Sequence, residues 1–144
     1  MKPYTLLTIG KVKESFCANG IREFAKRIKN LEIVSVKDST KEKEGVAIMD
    51  YITKNKFDCI IAMDEHGKQL SSIDFAHLLK DKQSEKICFI IGGPDGIAAE
   101  VRAKANHTIG LSKMTFTHDM AQLFFVEQLY RAESILAGKK YHRE

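Results

Sequence analysis

Ile87-Cys88-Phe89-Ile90-Ile91-Gly92-Gly93-Pro94-Asp95-Gly96 is an unbroken apolar run that stops in three glycines and a proline. An apolar run without polar alternation reads as a strand covered on both faces. Its sudden end reads as the turn where the chain leaves a sheet. The same form occurs upstream, where Cys59-Ile60-Ile61-Ala62-Met63 follows Phe57 and Asp58 and gives way to Asp64-Glu65-His66-Gly67-Lys68. Two doubly covered strands in one short chain predict a sheet with helices on both sides.

The flanking segments agree. Tyr4 to Gly10 is apolar, β-branched and ends in glycine, so it reads as another buried strand. Phe16 to Lys29 places Ile21, Phe24, Ala25 and Ile28 at helical spacing. Leu31 to Val36 alternates and predicts a strand. Asp38 to Gly45 is polar and reads as a solvated loop. Val46 to Lys54 predicts a short helix with Val46, Met49 and Ile52 on its inner face. Ser71 opens a further helix, with Asp74 as its capping partner. Ile97 to Ala105 predicts a helix, Thr108 to Leu111 a short strand, and Asp119 to Ala137 the last helix. Strand and helix alternate from end to end, which predicts one α/β domain over residues 1–144 with a mostly parallel sheet. In such sheets ligands sit beyond the carboxyl ends of strands. The segments after Met63, Ile91 and Leu111 are therefore the ones to search.

Composition narrows the class. Of 144 residues, 44% are apolar and 29% charged, enough apolar material to exclude a disordered chain. No apolar run approaches the length of a membrane span, and the first residues carry no signal-peptide pattern. The three cysteines, Cys17, Cys59 and Cys88, are widely spaced, which argues against a disulfide framework and a cysteine zinc site. A reducing, cytoplasmic setting is expected. No histidine or carboxylate spacing imitates a ligand set, so no metal is expected. A net charge of +4 permits a nucleic-acid partner without demanding one.

Three nucleotide or hydrolase motifs are excluded. Gly10-Lys11 and Gly67-Lys68 are followed by Val and Gln where a P-loop needs Ser or Thr. Gly92 to Gly96 lacks the dinucleotide spacing, and no Gly-x-Ser-x-Gly occurs. By itself the glycine cluster is either a tight strand-to-helix turn or a close approach of backbone to ligand. The last helix carries Met120, Leu123, Phe124, Phe125, Val126, Leu129, Tyr130, Ile135 and Leu136 around more than one face. Such a helix needs a second covering surface, and a partner subunit is the simplest. The ending Lys139-Lys140-Tyr141-His142-Arg143-Glu144 reads either as a frayed tail or as a functional group of side chains.

Four segments together resemble the RlmH family of SPOUT-superfamily ribosomal RNA methyltransferases. They are Ile90 to Gly96, Leu111 to His118, Glu127-Gln128-Leu129-Tyr130-Arg131-Ala132, and Tyr141-His142-Arg143-Glu144. They fall in the family's order over a chain of the family's length. The resemblance implies a homodimer with a C-terminal trefoil knot. It implies methyl transfer from S-adenosylmethionine to N3 of a pseudouridine in 23S rRNA on the assembled ribosome. It places the cofactor at Met63, Gly92, Leu111, Ser112, Lys113, Met114, Thr115 and Phe116. Met63 stands where relatives often carry Leu, and Asp95 where many carry Glu.

The tail residues suit the implied reaction. Pseudouridine N3 must lose a proton, and His142 has a side chain that accepts one near neutral pH. Arg143 and Arg131 suit phosphate or an anionic base, and Tyr141 suits stacking. Arg131 equally suits a pairing with Glu127 or Glu133. His118 and His66 lie next to the implied cofactor segments. The competing readings are a catalytically idle RNA- or nucleotide-binding module on the same fold, and a related enzyme acting on transfer RNA or a ribose oxygen.

Overall fold

The computed structural model describes residues 3–143. Its five strands are β1 (Tyr4–Ile9), β2 (Leu31–Val36), β3 (Cys59–Gln69), β4 (Ile87–Ile91) and β5 (His107–Gly110). They form one sheet in the order β2-β1-β4-β3-β5, and every pairing is parallel. The helices are α1 (Ser15–Ala25), α2 (Lys41–Asn55), α3 (Ser72–Asp81), α4 (Ala99–Lys104) and α5 (His118–Leu136). The doubly covered strands are where the sequence places them. All of β1 and β4 is buried, and β3 is buried from Cys59 to Ala62.

Side-chain alternation along the strands feeds two cores. On one face, Leu6, Ile61 and Phe89 pack with Ile21, Phe75, Leu79, Phe125 and Leu129 from α1, α3 and α5. On the other, Leu7, Ile60 and Ile90 pack with Ile48, Ile52 and Val101 from α2 and α4. All three cysteines are buried and free.

The polar segment Asp38 to Gly45 is not a loop throughout. Thr40 caps α2, its Oγ1 accepting from Lys43 N at 3.2 Å, and Glu42 and Glu44 sit in the first turn where the helix dipole favours acid. The buried face is Glu44, Gly45, Ile48 and Ile52, whereas Val46 points to solvent. Helix α1 stops at Ala25 rather than Lys29, and Asn30 at φ 60° turns the chain into β2. Ser71 caps α3 as expected, accepting from Asp74 N at 3.0 Å. Phe125 belongs to the core, so of the two adjacent phenylalanines in α5 only Phe124 is left on an outer face.

Strand β3 runs six residues beyond Met63. Residues 64–67 arch away and the strand returns to β5, pairing Lys68 with Ile109 after Met63 has already done so. Two glycines make this return close. A Cβ on Gly67 would fall 2.7 Å from the Ile109 nitrogen, and one on Gly110 3.0 Å from the Asp64 carbonyl oxygen. The arch and the end of β5 therefore meet backbone against backbone.

Candidate active site

The arch after β3, the glycine loop after β4 and the segment after β5 surround one cleft of about 440 Å³. These are the three post-strand segments that a parallel sheet assigns to ligands. Of the eight expected cofactor residues, Met63, Gly92, Leu111, Ser112, Met114, Thr115 and Phe116 line the cleft; Lys113 lies in the same loop but is not part of the lining. Ile91, Ile97 and Ala121 extend the apolar wall. The Asp64, Glu65 and Asp95 carboxylates stand at the polar side with Lys41 and Arg102.

Short contacts fix the loops. Ser112 Oγ accepts from Met114 N at 3.0 Å, turning the post-β5 segment on itself. Thr115 donates its hydroxyl to Glu65 Oε2 at 2.8 Å, joining that segment to the arch. Arg102 Nη1 donates to Asp64 Oδ2 at 3.0 Å, tying α4 to the arch. His118 Nδ1 lies 3.0 Å from the Gly92 carbonyl oxygen. A carbonyl only accepts, so Nδ1 carries the proton, and the neutral ring presents a lone pair on Nε2. That Nε2 is buried without a protein partner. His66 lines the cleft from an exposed position beside Glu65.

Gly92 serves the loop as well as the ligand space. A Cβ there would lie 2.7 Å from Ile97 Cγ1 and 2.8 Å from the Gly96 carbonyl carbon. A side chain at Gly92 would therefore strain the loop itself as well as crowd the cleft. Behind the loop, Glu44 is 5% exposed and its Oε1 lies 3.1 Å from where a Gly93 Cβ would stand. Ser39 N donates to Glu44 Oε2 at 2.9 Å. Burial pushes the Glu44 carboxyl above its ordinary range against that hydrogen bond, with Asp38 and Asp95 adding to the rise.

The tail is docked rather than frayed. Tyr141 donates its hydroxyl to Glu127 Oε2 at 2.6 Å, and its ring meets Tyr130 edge-on at 4.7 Å. Arg131 pairs with Glu127 at 2.7 Å, not with Glu133, and its guanidinium lies 4.8 Å from the Tyr141 ring centroid. Burial and then the Glu127 hydrogen bond raise the Tyr141 hydroxyl above its ordinary range. The same carboxylate holds Arg131 more firmly protonated. Arg131 Nη1 lies 3.2 Å from His142 Nδ1. Guanidinium only donates, so Nδ1 accepts and the neutral His142 ring carries its proton on Nε2. Arg143 is exposed beside them.

The structure thus brings the expected residues together in two groups rather than one. Arg131 follows His118 by thirteen positions of α5, about 20 Å along the helix axis. Sequence reasoning missed Asp64, Glu65, Arg102 and Lys41 as cleft residues. The first two directly follow a flagged strand end, which was signal enough; Arg102 and Lys41 come from helices whose facing no periodicity reveals.

Several known proteins are similar to this chain. A family model described as "Predicted SPOUT methyltransferase" matches residues 1–142. A ribosomal RNA large subunit methyltransferase H from Prochlorococcus marinus is 43% identical over 141 residues, covering 98% of this chain and 96% of the relative. One of the same name from a Synechococcus species is 40% identical over 138 residues, covering 96% and 94%. Among solved structures, a probable methylase family protein from Haemophilus influenzae superposes with a TM-score of 0.66 at 13% identity, covering 99% of this chain and 71% of that one. The SpoU methyltransferase AviRb from Streptomyces viridochromogenes, solved in complex with AdoMet, gives 0.55 at 12% identity, covering 90% and 57%. At these identities the structural likeness concerns the fold.

Proposed function

Because the chain belongs to the SPOUT methyltransferase family, we propose that it methylates N3 of a pseudouridine in 23S rRNA on the assembled ribosome, as a homodimer. The observation that carries this reading is the cleft formed by Met63, Gly92 and Leu111 to Phe116 at three adjacent strand ends. Its residues fit S-adenosylmethionine. Met63, Ile91, Leu111 and Phe116 offer an apolar wall to adenine, and Asp64, Glu65 and Asp95 offer carboxylates to a sulfonium and an ammonium. Bound there, the donor supplies an electrophilic methyl carried on sulfur.

The chain's own task is to place a nitrogen in line with that methyl and to remove the N3 proton. The tail supplies the groups. Tyr141 stacks on the base, and Arg143 faces its developing charge. Arg131 turning from His142 toward the bound base frees His142 Nδ1 to take the N3 proton, and the guanidinium then faces the anion that results. With that proton gone, the N3 lone pair would be in place to take the methyl that the bound donor would supply.

Two features support the homodimer. The tail docks on Glu127 and Arg131, about 14 and 20 Å along α5 from the cleft residue His118, a separation that a second chain would bridge. Phe124, 37% exposed, meets the cleft residue Phe116 edge-on at 5.0 Å, and Met114 beside them is 76% exposed. This apolar face continues into a hollow of about 270 Å³ lined by Leu70, Phe75 and Gln128. The knot implied by the family resemblance is part of the proposal.

The test is methyl transfer to intact ribosomes, free 23S rRNA and transfer RNA, with the modified nucleoside identified by mass spectrometry. N3-methylpseudouridine from ribosomes alone is expected. Methylated transfer RNA, or a ribose methyl, would overturn the substrate assignment. Failure to bind S-adenosylmethionine in a calorimetric titration would favour an idle binding module.

A further inference from the structure

We propose that the end of α1, the last turns of α5 and the tail form one docking platform for the phosphate backbone of ribosomal RNA. The inference rests on the rRNA reading above and names the surface that holds the substrate away from the reacting base.

An aromatic row makes the platform stiff. Phe24 of α1 meets Tyr130 of α5 at 5.9 Å, and Tyr130 meets Tyr141 at 4.7 Å. Arg27 lies over both Phe24 and Tyr130, at 5.7 and 5.9 Å, and Arg131 caps the far end over Tyr141. The Phe24 and Tyr130 rings are tilted or edge-on to their neighbours and lie under Arg27, so this part of the row does not offer an open face to a stacked base. It offers a fixed base for charges instead.

The charges are cationic and contiguous. Arg22 near the end of α1 and Lys26 and Lys29 in its exit turn are all exposed. Lys139 and Lys140 continue the exposed surface from the tail. The carboxylates here are shared. Glu23 serves both Lys26 at 3.0 Å and Arg27 at 2.8 Å. Glu127 is held by Arg131 and Tyr141. Glu133 is half-buried between Lys29 and Lys139, whose charges both act on it, and that link joins the α1 side to the tail side. The Lys26 side chain keeps 68% exposure despite its pairing. A surface of lysines whose acids are already committed fits a polyanion, and backbone contacts position without reading sequence.

The test replaces Lys26, Lys29 and Lys139 together by Ala and measures binding to unmethylated ribosomes from 50 to 200 mM salt. The expected result is roughly tenfold weaker binding, with a log–log salt slope smaller by up to about one per lysine removed. S-adenosylmethionine affinity and sedimentation should stay as in the unaltered protein. Replacing the same three lysines by Arg should restore both affinity and slope. Unchanged affinity and slope in the Ala variant would overturn the proposal. So would a changed sedimentation with unchanged slope, which would assign the surface to a protein contact. If the triple variant loses cofactor affinity through misfolding, the single Lys26→Glu on its exposed side chain gives the same decision. Failure of the unaltered protein to bind or methylate ribosomes would instead strike the rRNA reading itself.

Discussion

The imidazole of His118 and the carbonyl of Gly92 are 3.0 Å apart, so the first residue of the last helix is tied to the loop that closes the cleft after β4. The tie fixes a tautomer and leaves a buried lone pair on Nε2 beside the cofactor space. His118→Ala removes the donor and exposes the carbonyl to water. S-adenosylmethionine affinity should fall up to about tenfold, the worth of one such hydrogen bond. His118→Asn, with an amide donor near the Nδ1 position, should recover most of it. A calorimetric titration showing no change in the Ala variant would separate the helix from the loop's function.

Gly92 and Gly96 sit four residues apart in one loop and are needed for different reasons. Gly92 has no room, with Ile97 and the Gly96 backbone within 3 Å of any Cβ. Gly96 has room but a φ of +85°, which L side chains rarely adopt. Gly92→Ala should cost about 1–3 kcal/mol by overpacking. Gly96→Ala should cost about 1–2 kcal/mol through its backbone. Asn tolerates the left-handed region, so Gly96→Asn should lose less than Gly96→Ala, whereas Gly92→Asn should lose more than Gly92→Ala. Thermal unfolding of the four variants distinguishes crowding from conformation.

Much of this loop was legible in the sequence and some was not. Ile87 to Ile91 announces a strand covered on both faces because no polar residue interrupts it, and the glycines mark where it ends. The six-residue extension of β3 past Met63 was hidden, because Asp64, Glu65, His66 and Lys68 are polar and read as a loop. Their return to β5 depends on Gly67 and Gly110 passing backbone to backbone, a contact between segments some forty residues apart. The start of α2 was hidden likewise. Lys41 to Gly45 has no apolar period, and the Thr40 cap with its acidic first turn identifies the helix only once its position is known. Tyr141 and Glu127 each stood out in the resemblance, but nothing local says that one donates to the other.

Glu44 carries a pH dependence that follows from its burial. Its folded-state carboxyl is raised above the ordinary 4.5, so the protonated form is the one the fold prefers. The contribution to stability is therefore most favourable below that value and declines as pH rises through the folded-state value. Glu44→Gln keeps an acceptor for Ser39 N without the charge. It should equal or exceed the stability of the unaltered protein at pH 7, and the difference should shrink as pH falls toward 4. Denaturant titrations across that range check the sign, and a variant that loses more at pH 7 than at pH 4 would contradict it.

Tyr141 has the corresponding dependence at the alkaline end. Its hydroxyl is raised above 10.0, first by burial and then by Glu127. Docking of the tail should hold through neutral pH and be lost as pH rises past that raised value, when phenolate would face carboxylate. Tyr141→Phe, lacking the hydroxyl, should show no such alkaline release. Hydrogen exchange at the tail amides, compared at pH 8 and pH 11 after correction for the intrinsic rate, reads the difference.

The last prediction joins the tail to the partner subunit. Deleting Tyr141 to Glu144 should abolish methyl transfer and leave S-adenosylmethionine affinity within a few-fold. The cleft residues lie between Lys41 and Ala121, and the docked tail touches α5 further along, at Glu127 and Arg131, about 9 and 15 Å beyond Ala121. A defect in the cleft, such as Leu111→Arg, should abolish cofactor binding instead. If each site draws its cleft from one chain and its tail from the other, the two inactive variants complement. Random reassortment puts half the chains into mixed dimers with one complete site each, so about a quarter of full activity should return. If each chain used its own tail, the mixed dimers would contain no complete site and nothing would return. Mixing after partial denaturation and refolding, followed by a ribosome methylation assay, decides between these. Normal turnover by the tail-deleted protein alone would show that Tyr141, His142 and Arg143 take no part in the reaction.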